Sequence, residues 1–343
     1  MNKIISSLIV SLMLISCSEK QYSFEYIKLD TPARSSLRAI HALDENIVWT
    51  SGSQGQVYLS VDGGHNWNSR PVPGCEDTEF RSLHAWDALH ALVFDVSPQG
   101  KAFMTTDAGL SWELVYRSPV EGAFFNSMKF ADNMQGIAIS DPIDEQVFVL
   151  RTEDGGRNWK RLESLPPSVQ GEINFAASNT CIEYLPSGEI YIVTGGSKSR
   201  ILSSLDHGNS WAFMDTPALT GASAGLFSVN FTNPENGVAV GGDFNDPDRE
   251  GCRAIFTEDG GHHLYAAETM PAGYRSCVVS LNKELHFAIG KTGCDYSVDQ
   301  GRNWTFIDSA GYYAASALEG KNILFLAGSE GRVAKVIVSH SKN

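Results

Sequence analysis

Long apolar runs are missing from this 343-residue chain. The longest, near the start, is about a dozen residues, short of the ~20 that a membrane-spanning helix needs. Positive charge is scarce. Lys and Arg number 26 against 40 Asp and Glu, a formal net charge of −14, which argues against nucleic acid as a partner because phosphate binding needs a basic surface. Cysteine is sparse too, six in all and never at C-x-x-C spacing, so the chain carries neither a zinc motif nor a thioredoxin-like one. There is no G-x-G-x-x-G between a strand and a helix and no C-x-x-C-H for haem. No cofactor is expected from these patterns.

The short apolar stretch follows Lys3 and is broken only by serines. A positive end and a short apolar core fit a secretory signal peptide over residues 1–16. Leu14-Ile15-Ser16-Cys17 resembles a bacterial lipobox, which implies cleavage before Cys17 and lipid attachment to that residue. Several acyl chains would anchor it stably, at ~0.8 kcal/mol per buried CH₂. The expectation is a monomer in the bacterial cell envelope, at the outer membrane and facing periplasm or exterior, held by its lipid alone through a tether over residues 17–21. Five cysteines are then left, Cys75, Cys181, Cys252, Cys277 and Cys294. An odd number cannot all pair, so buried free thiols are expected, with one disulfide allowed among Cys252, Cys277 and Cys294.

What the chain has in abundance is one short motif. Ser60-Val61-Asp62-Gly63-Gly64-His65-Asn66-Trp67 is followed by five related octapeptides centred on Asp107, Asp154, Asp206, Asp259 and Asp299. The common pattern is [ST]-x-D-x-G-x-[NSH]-[WL], and the aspartates recur every 40 to 53 residues. Six copies at that period point to propeller blades. Strand-like residues flank each copy, so the motif is a hairpin turn. Its carboxylate can accept hydrogen bonds from the turn's own N–H groups, and the glycine allows a positive φ. The motif resembles the Asp-box of sialidases and other BNR-repeat propellers. That resemblance covers nearly all of the mature chain and implies turn formers rather than catalysts or metal ligands.

The pattern predicts seven four-stranded antiparallel blades over residues 22–343. Six carry the motif. The seventh, from Tyr313, lacks both the motif and a fourth strand, while residues 22–29 (YSFEYIKL) form an orphan strand. That strand is expected to complete blade seven and close the ring, leaving no open edge.

If the motif joins strands three and four, the loops joining strands two and three share the opposite face with the links between blades. Two of those loops are enlarged, residues 140–145 and 241–251, and long loops on a rigid scaffold are where function concentrates. Asp243, Asp246 and Asp248 offer hard oxygen ligands for calcium, but their spacing fits no EF-hand and no metal is expected. Arg38, Arg81 and Arg275 align at one position of the innermost strands of blades one, two and six, with Asn126 and Asn179 there in blades three and four. The three arginines are the expected ligand- or partner-binding site, since guanidinium groups bind carboxylates bidentately. The alternative is that each pairs with a nearby acid such as Asp44 or Asp87.

Three function classes follow. The repeat, the blade count and residues 236–242 (NGVAVGG) before Thr257-Glu258-Asp259-Gly260-Gly261 resemble the photosystem II assembly and stability factor family. That resemblance implies a non-catalytic scaffold binding another envelope protein or a small anion, and this reading is preferred. A sialidase-like glycoside hydrolase needs an arginine triad, a Tyr–Glu nucleophile pair and an acidic Asp. The early Arg-Ile-Pro is absent, Arg38-Ala39-Ile40 being nearest. Tyr274, Tyr312 and Tyr313 are available tyrosines, and no matching Glu can be assigned. A redox enzyme is the third class, and nothing in the sequence argues for it.

Overall fold

The computed structural model describes residues 21–163 and 165–341. The expected signal peptide over residues 1–16 and the expected lipid site Cys17 lie outside the described residues. The chain forms seven antiparallel sheets, one per blade. Blade one shows the plan: Leu37–Ala42 innermost, then Val48–Gly52, Val57–Ser60 and Asn68–Ser69 outermost. Second strands are buried, throughout in Val48–Gly52 and Ile323–Ala327 and over the first five residues of Gly136–Ile143. The core is divided among the blade-to-blade interfaces. Trp49 of blade one is fully buried against blade two and donates its indole N–H to the Asp87 carbonyl at 3.0 Å.

Blade seven is built from both chain ends, in the order Gln21–Leu29, Val333–Ser341, Ile323–Ala327, Ala314–Leu318. The first and last strands pair without interruption from Gln21↔Ser341 to Leu29↔Val333. The orphan strand therefore closes the ring as the missing fourth strand of blade seven predicts, with Leu29 buried and Phe24 and Tyr26 packed on the blade six–seven core.

Blades four and five differ from the expectation. The pattern predicts four strands in each, yet blade four begins at Ile182 and blade five begins at Gly221 with extra strands beside it. Glu172–Ile173 and Gly195–Gly196 pair with each other and extend the sheet of blade five to six strands. The backbones of Gly195 and Gly225 meet so closely that a Cβ on either would overlap the other, which only glycine permits.

All six motif turns join a third strand to a fourth and share one local geometry. In the first, Asp62 Oδ1 accepts from Ser60 Oγ at 2.9 Å and from Asn66 N–H at 2.8 Å. Ser60 Oγ in turn accepts the Gly64 N–H at 2.8 Å, and Gly64 has φ 88°. The residue before that glycine also needs a positive φ. Gly63, Gly155 and Gly260 supply it freely, but Ala108, His207 and Gln300 adopt φ near 60° at a steric cost.

The cysteines are all free thiols among the described residues. The disulfide allowed by the sequence among Cys252, Cys277 and Cys294 does not form. Burial pushes the thiols of Cys277 and Cys294 up to about 11 and about 12.

Candidate functional site

Strand direction separates two faces. Each third strand ends at an Asp turn, and the turns between strands one and two lie beside it, as the Gly63 N–H to Asn46 carbonyl bond shows. Asp44 and Asp87 sit in those turns and accept backbone N–H groups of residues two and three ahead. They are therefore remote from the arginines, and the alternative pairing with these two acids is not made. The blade links and the loops between strands two and three occupy the other end.

On that loop-rich face Arg38 and Arg81 come together around one carboxylate, that of Glu79. Arg81 pairs with it through Nε and Nη2 at 2.5 Å, and Arg38 Nε stands 3.6 Å from it. Ser53 Oγ also donates to Glu79. Burial works to raise the Glu79 carboxyl, but Ser53, Arg81 and Arg38 outweigh it and hold it below its usual range. Each guanidinium also lies over an aromatic ring, Arg38 at 4.5 Å from the Tyr313 centroid and Arg81 at 5.9 Å from that of Phe124. Both side chains stay about a quarter exposed.

Arg275 does not join them. It is buried inside blade six and ion-paired with Asp295, with further bonds to the Tyr274 carbonyl at 2.9 Å and Thr292 Oγ1 at 3.0 Å. The reason is register. In blades one, two and three the inner strand bulges at Arg38, Arg81 and Asn126. In blade six Arg275 occupies the position of Leu37, its Cα facing Gly290 as that of Leu37 faces Gly52. Ser276 takes the bulge position, and a slip of one residue moves a side chain to the opposite side. The expected trio is a pair, and the arginine triad that a sialidase requires is not formed by these residues.

Asn179 is displaced by the same kind of slip, with a larger effect. Residues 174–180 leave the blade and cross the channel mouth. Asn179 Nδ2 donates to the Leu83 carbonyl of blade two at 2.8 Å, and its Oδ1 accepts the Met128 N–H of blade three at 2.9 Å. Ser178 Oγ reaches the Ser276 carbonyl of blade six at 2.7 Å. Arg81 Nη1 donates to the Ala176 carbonyl at 3.0 Å, and Phe175 stacks on Phe227 with centroids 3.9 Å apart. Asp141, in the enlarged loop of blade three, accepts from Asn174 N–H and Asn126 Nδ2. Burial raises its carboxyl to about 6 despite these bonds. Sequence reasoning missed this plug and missed Glu79, because both are defined by contacts between distant segments.

Within the channel lies a cavity of about 310 Å³ lined by His41, His84, Lys129, Glu183 and Asn230. The buried Glu183 carboxylate accepts from Lys129 Nζ at 3.0 Å and Asn230 Nδ2 at 2.8 Å. Burial first, and Lys129 second, lower the His41 imidazole to about 4. The candidate calcium ligands form no cage. Asp243 accepts from Ser223 Oγ at 2.6 Å and pairs with Arg249 at 3.1 Å, and no cluster suited to a metal ion occurs among the described residues.

No protein-family model and no curated protein matches the chain. Solved structures do. YCF48 from Cyanidioschyzon merolae is similar at 16% identity and TM-score 0.67, over 91% of this chain and 98% of that one. YCF48 bound to D1 peptide is similar at 17% identity and TM-score 0.64, over 92% and 96%. The xyloglucanase from Xanthomonas campestris is similar at 12% identity and TM-score 0.67, over 91% of this chain and 53% of that one. At these identities the likeness is one of fold, the β-propeller.

Proposed function

We propose that this chain is a non-catalytic docking scaffold of the bacterial cell envelope, lipid-anchored through Cys17, whose loop-rich face captures a partner protein through an acidic segment. The observation that carries the reading is the pairing of Arg38 and Arg81 on that face. Two guanidinium groups share one carboxylate and each side chain is about a quarter exposed, so hydrogen-bonding capacity is left for an incoming anion. That one structural neighbour was solved with a peptide bound supports the same reading.

The chain direction fits as well. Gln21 pairs with Ser341 at the end of a third strand, on the Asp-turn side. An anchor at Cys17 would hold that side towards the membrane and present the arginine face outward.

The test is capture of the partner by the membrane-tethered protein, with Arg38→Ala and Arg81→Ala combined as the comparison. The expected outcome is a folded variant with a modestly lowered melting temperature, since Glu79 and the Ala176 carbonyl lose their partners, and with loss of the captured partner. Equal capture by the double variant defeats the reading.

A further inference from the structure

Glu79 faces two ways. On one side it meets Arg38 and Arg81. On the other it lines a groove of about 610 Å³ between blades one and two, together with Glu76, Asp77, Asp95, Ser97 and Lys101. Four carboxylates face one ammonium there, and Lys101 makes no ion pair among the described residues. Asp95 is the distinctive member. Its Oδ1 is used internally, accepting from Ser97 Oγ at 2.9 Å and Lys101 N–H at 2.8 Å. Its Oδ2 has no partner although the residue is 1% exposed. A buried carboxylate oxygen left unpaired is costly, and a donor arriving from outside would relieve that cost. Glu76 and Asp77 are exposed at the rim, where they attract positive charge.

The side chains here do not gather as a metal cage. A slender cation with several N–H donors suits the groove better, reaching past the rim to Asp95. We infer that the groove receives an arginine or lysine side chain of the partner protein, beside the acidic group held by Arg38 and Arg81. The docking face would then read a pair of opposite charges on one segment. That the cation belongs to a protein rests on the docking function proposed above; the groove's preference for positive charge does not.

The experiment uses the full chain and two blocked tripeptides, acetyl-Gly-Arg-Gly-amide and acetyl-Gly-Glu-Gly-amide, titrated with amide resonances as the readout. Glu76→Gln with Asp77→Asn should weaken the arginine peptide roughly tenfold, two exposed charge contacts of ordinary strength, and leave the glutamate peptide unweakened. Arg38→Ala with Arg81→Ala should do the reverse. Asp95→Asn should also weaken the arginine peptide; if that variant does not fold, the rim variants decide. The inference is overturned if the arginine peptide does not bind the wild-type chain, or binds the rim variant equally well. It is overturned too if calcium chloride, and not the peptide, moves the groove resonances. If the arginine peptide behaves as expected but the glutamate peptide ignores Arg38 and Arg81, the groove stands and the arginine-pair reading falls.

Discussion

Arg275 and Asp295 form an ion pair inside blade six, with both side chains 1% exposed. Removing one partner would leave an uncompensated charge in the interior. Arg275→Ala is therefore expected to cost about 3–5 kcal/mol, whereas Arg38→Ala should cost less than about 1 kcal/mol. Urea unfolding of the two variants side by side measures the contrast. Equal, small losses would place Arg275 back among the surface arginines.

Closure by the first strand should dominate stability. Deleting residues 21–29 removes the buried Leu29, worth ~1.5–3 kcal/mol on burial, and the partly buried Phe24 and Tyr26 packed on the blade six–seven core. It also bares the edge of Val333–Ser341, a template for pairing with other chains. A large drop in melting temperature with aggregation is expected, and calorimetry with light scattering detects both. A deletion variant that melts like the wild type would mean the strand contributes little.

The motif aspartates should act on stability and not on binding. Asp154 accepts from Thr152 Oγ1, Asn158 N–H and Asn158 Nδ2 at 2.7 to 2.9 Å. Asp154→Ala is expected to lower stability by about 1–2 kcal/mol and leave partner capture intact. Loss of capture at full stability would show that the turn touches the partner.

Acid should unfold the protein in two stages. His41 and His286 are held neutral by burial, with folded values of about 4 against an unfolded ~6.5. As pH falls from about 6.5 to 4 the unfolded chain takes the proton first, so stability is lost over that window. Asp62 and Asp206, lowered to about 2 by hydrogen bonds within their turns, lose their contribution lower down, between about 4 and 2. Asp141 works the other way. Raised to about 6, it favours the folded chain below its unfolded value of about 4 and loses that contribution as pH rises to 6. Urea midpoints at pH 7, 5 and 3.5 trace the curve. His41→Gln with His286→Gln should flatten the upper stage; an unchanged slope there would assign it to other groups.

Lipid attachment is checked apart from folding. Cys17→Ser should release the protein from the membrane fraction or leave it unprocessed. Unchanged size and membrane association in that variant would reject the anchor.

The architecture was legible because the motif repeats. Six Asp turns set the blade period, and residues 22–29 were the only strand without a blade. Half of the arginine site was legible for the same reason, since Arg38 and Arg81 sit at equivalent bulges. Arg275 was misplaced because alignment by spacing cannot see a bulge, and one residue decides between a surface and an interior. Glu79 and the plug were invisible. Glu79 lies in a blade link with no repeat to compare it with, and residues 174–180 look like the start of a strand until their bonds to blades two, three and six are seen.

The uninterrupted pairing of Gln21–Leu29 with Val333–Ser341 also fixes an order of events. The first strand of the propeller to be synthesised waits for the last one before it can pair. Contacts of such sequence separation form slowly, because the chain's loop entropy is lost before they reward it. Until the C-terminus arrives, six nearly finished blades stand with both ends open and their edges bare. The chain is then at its most vulnerable to proteases and to pairing with its own copies, so a slow final step is built into the way this ring is closed.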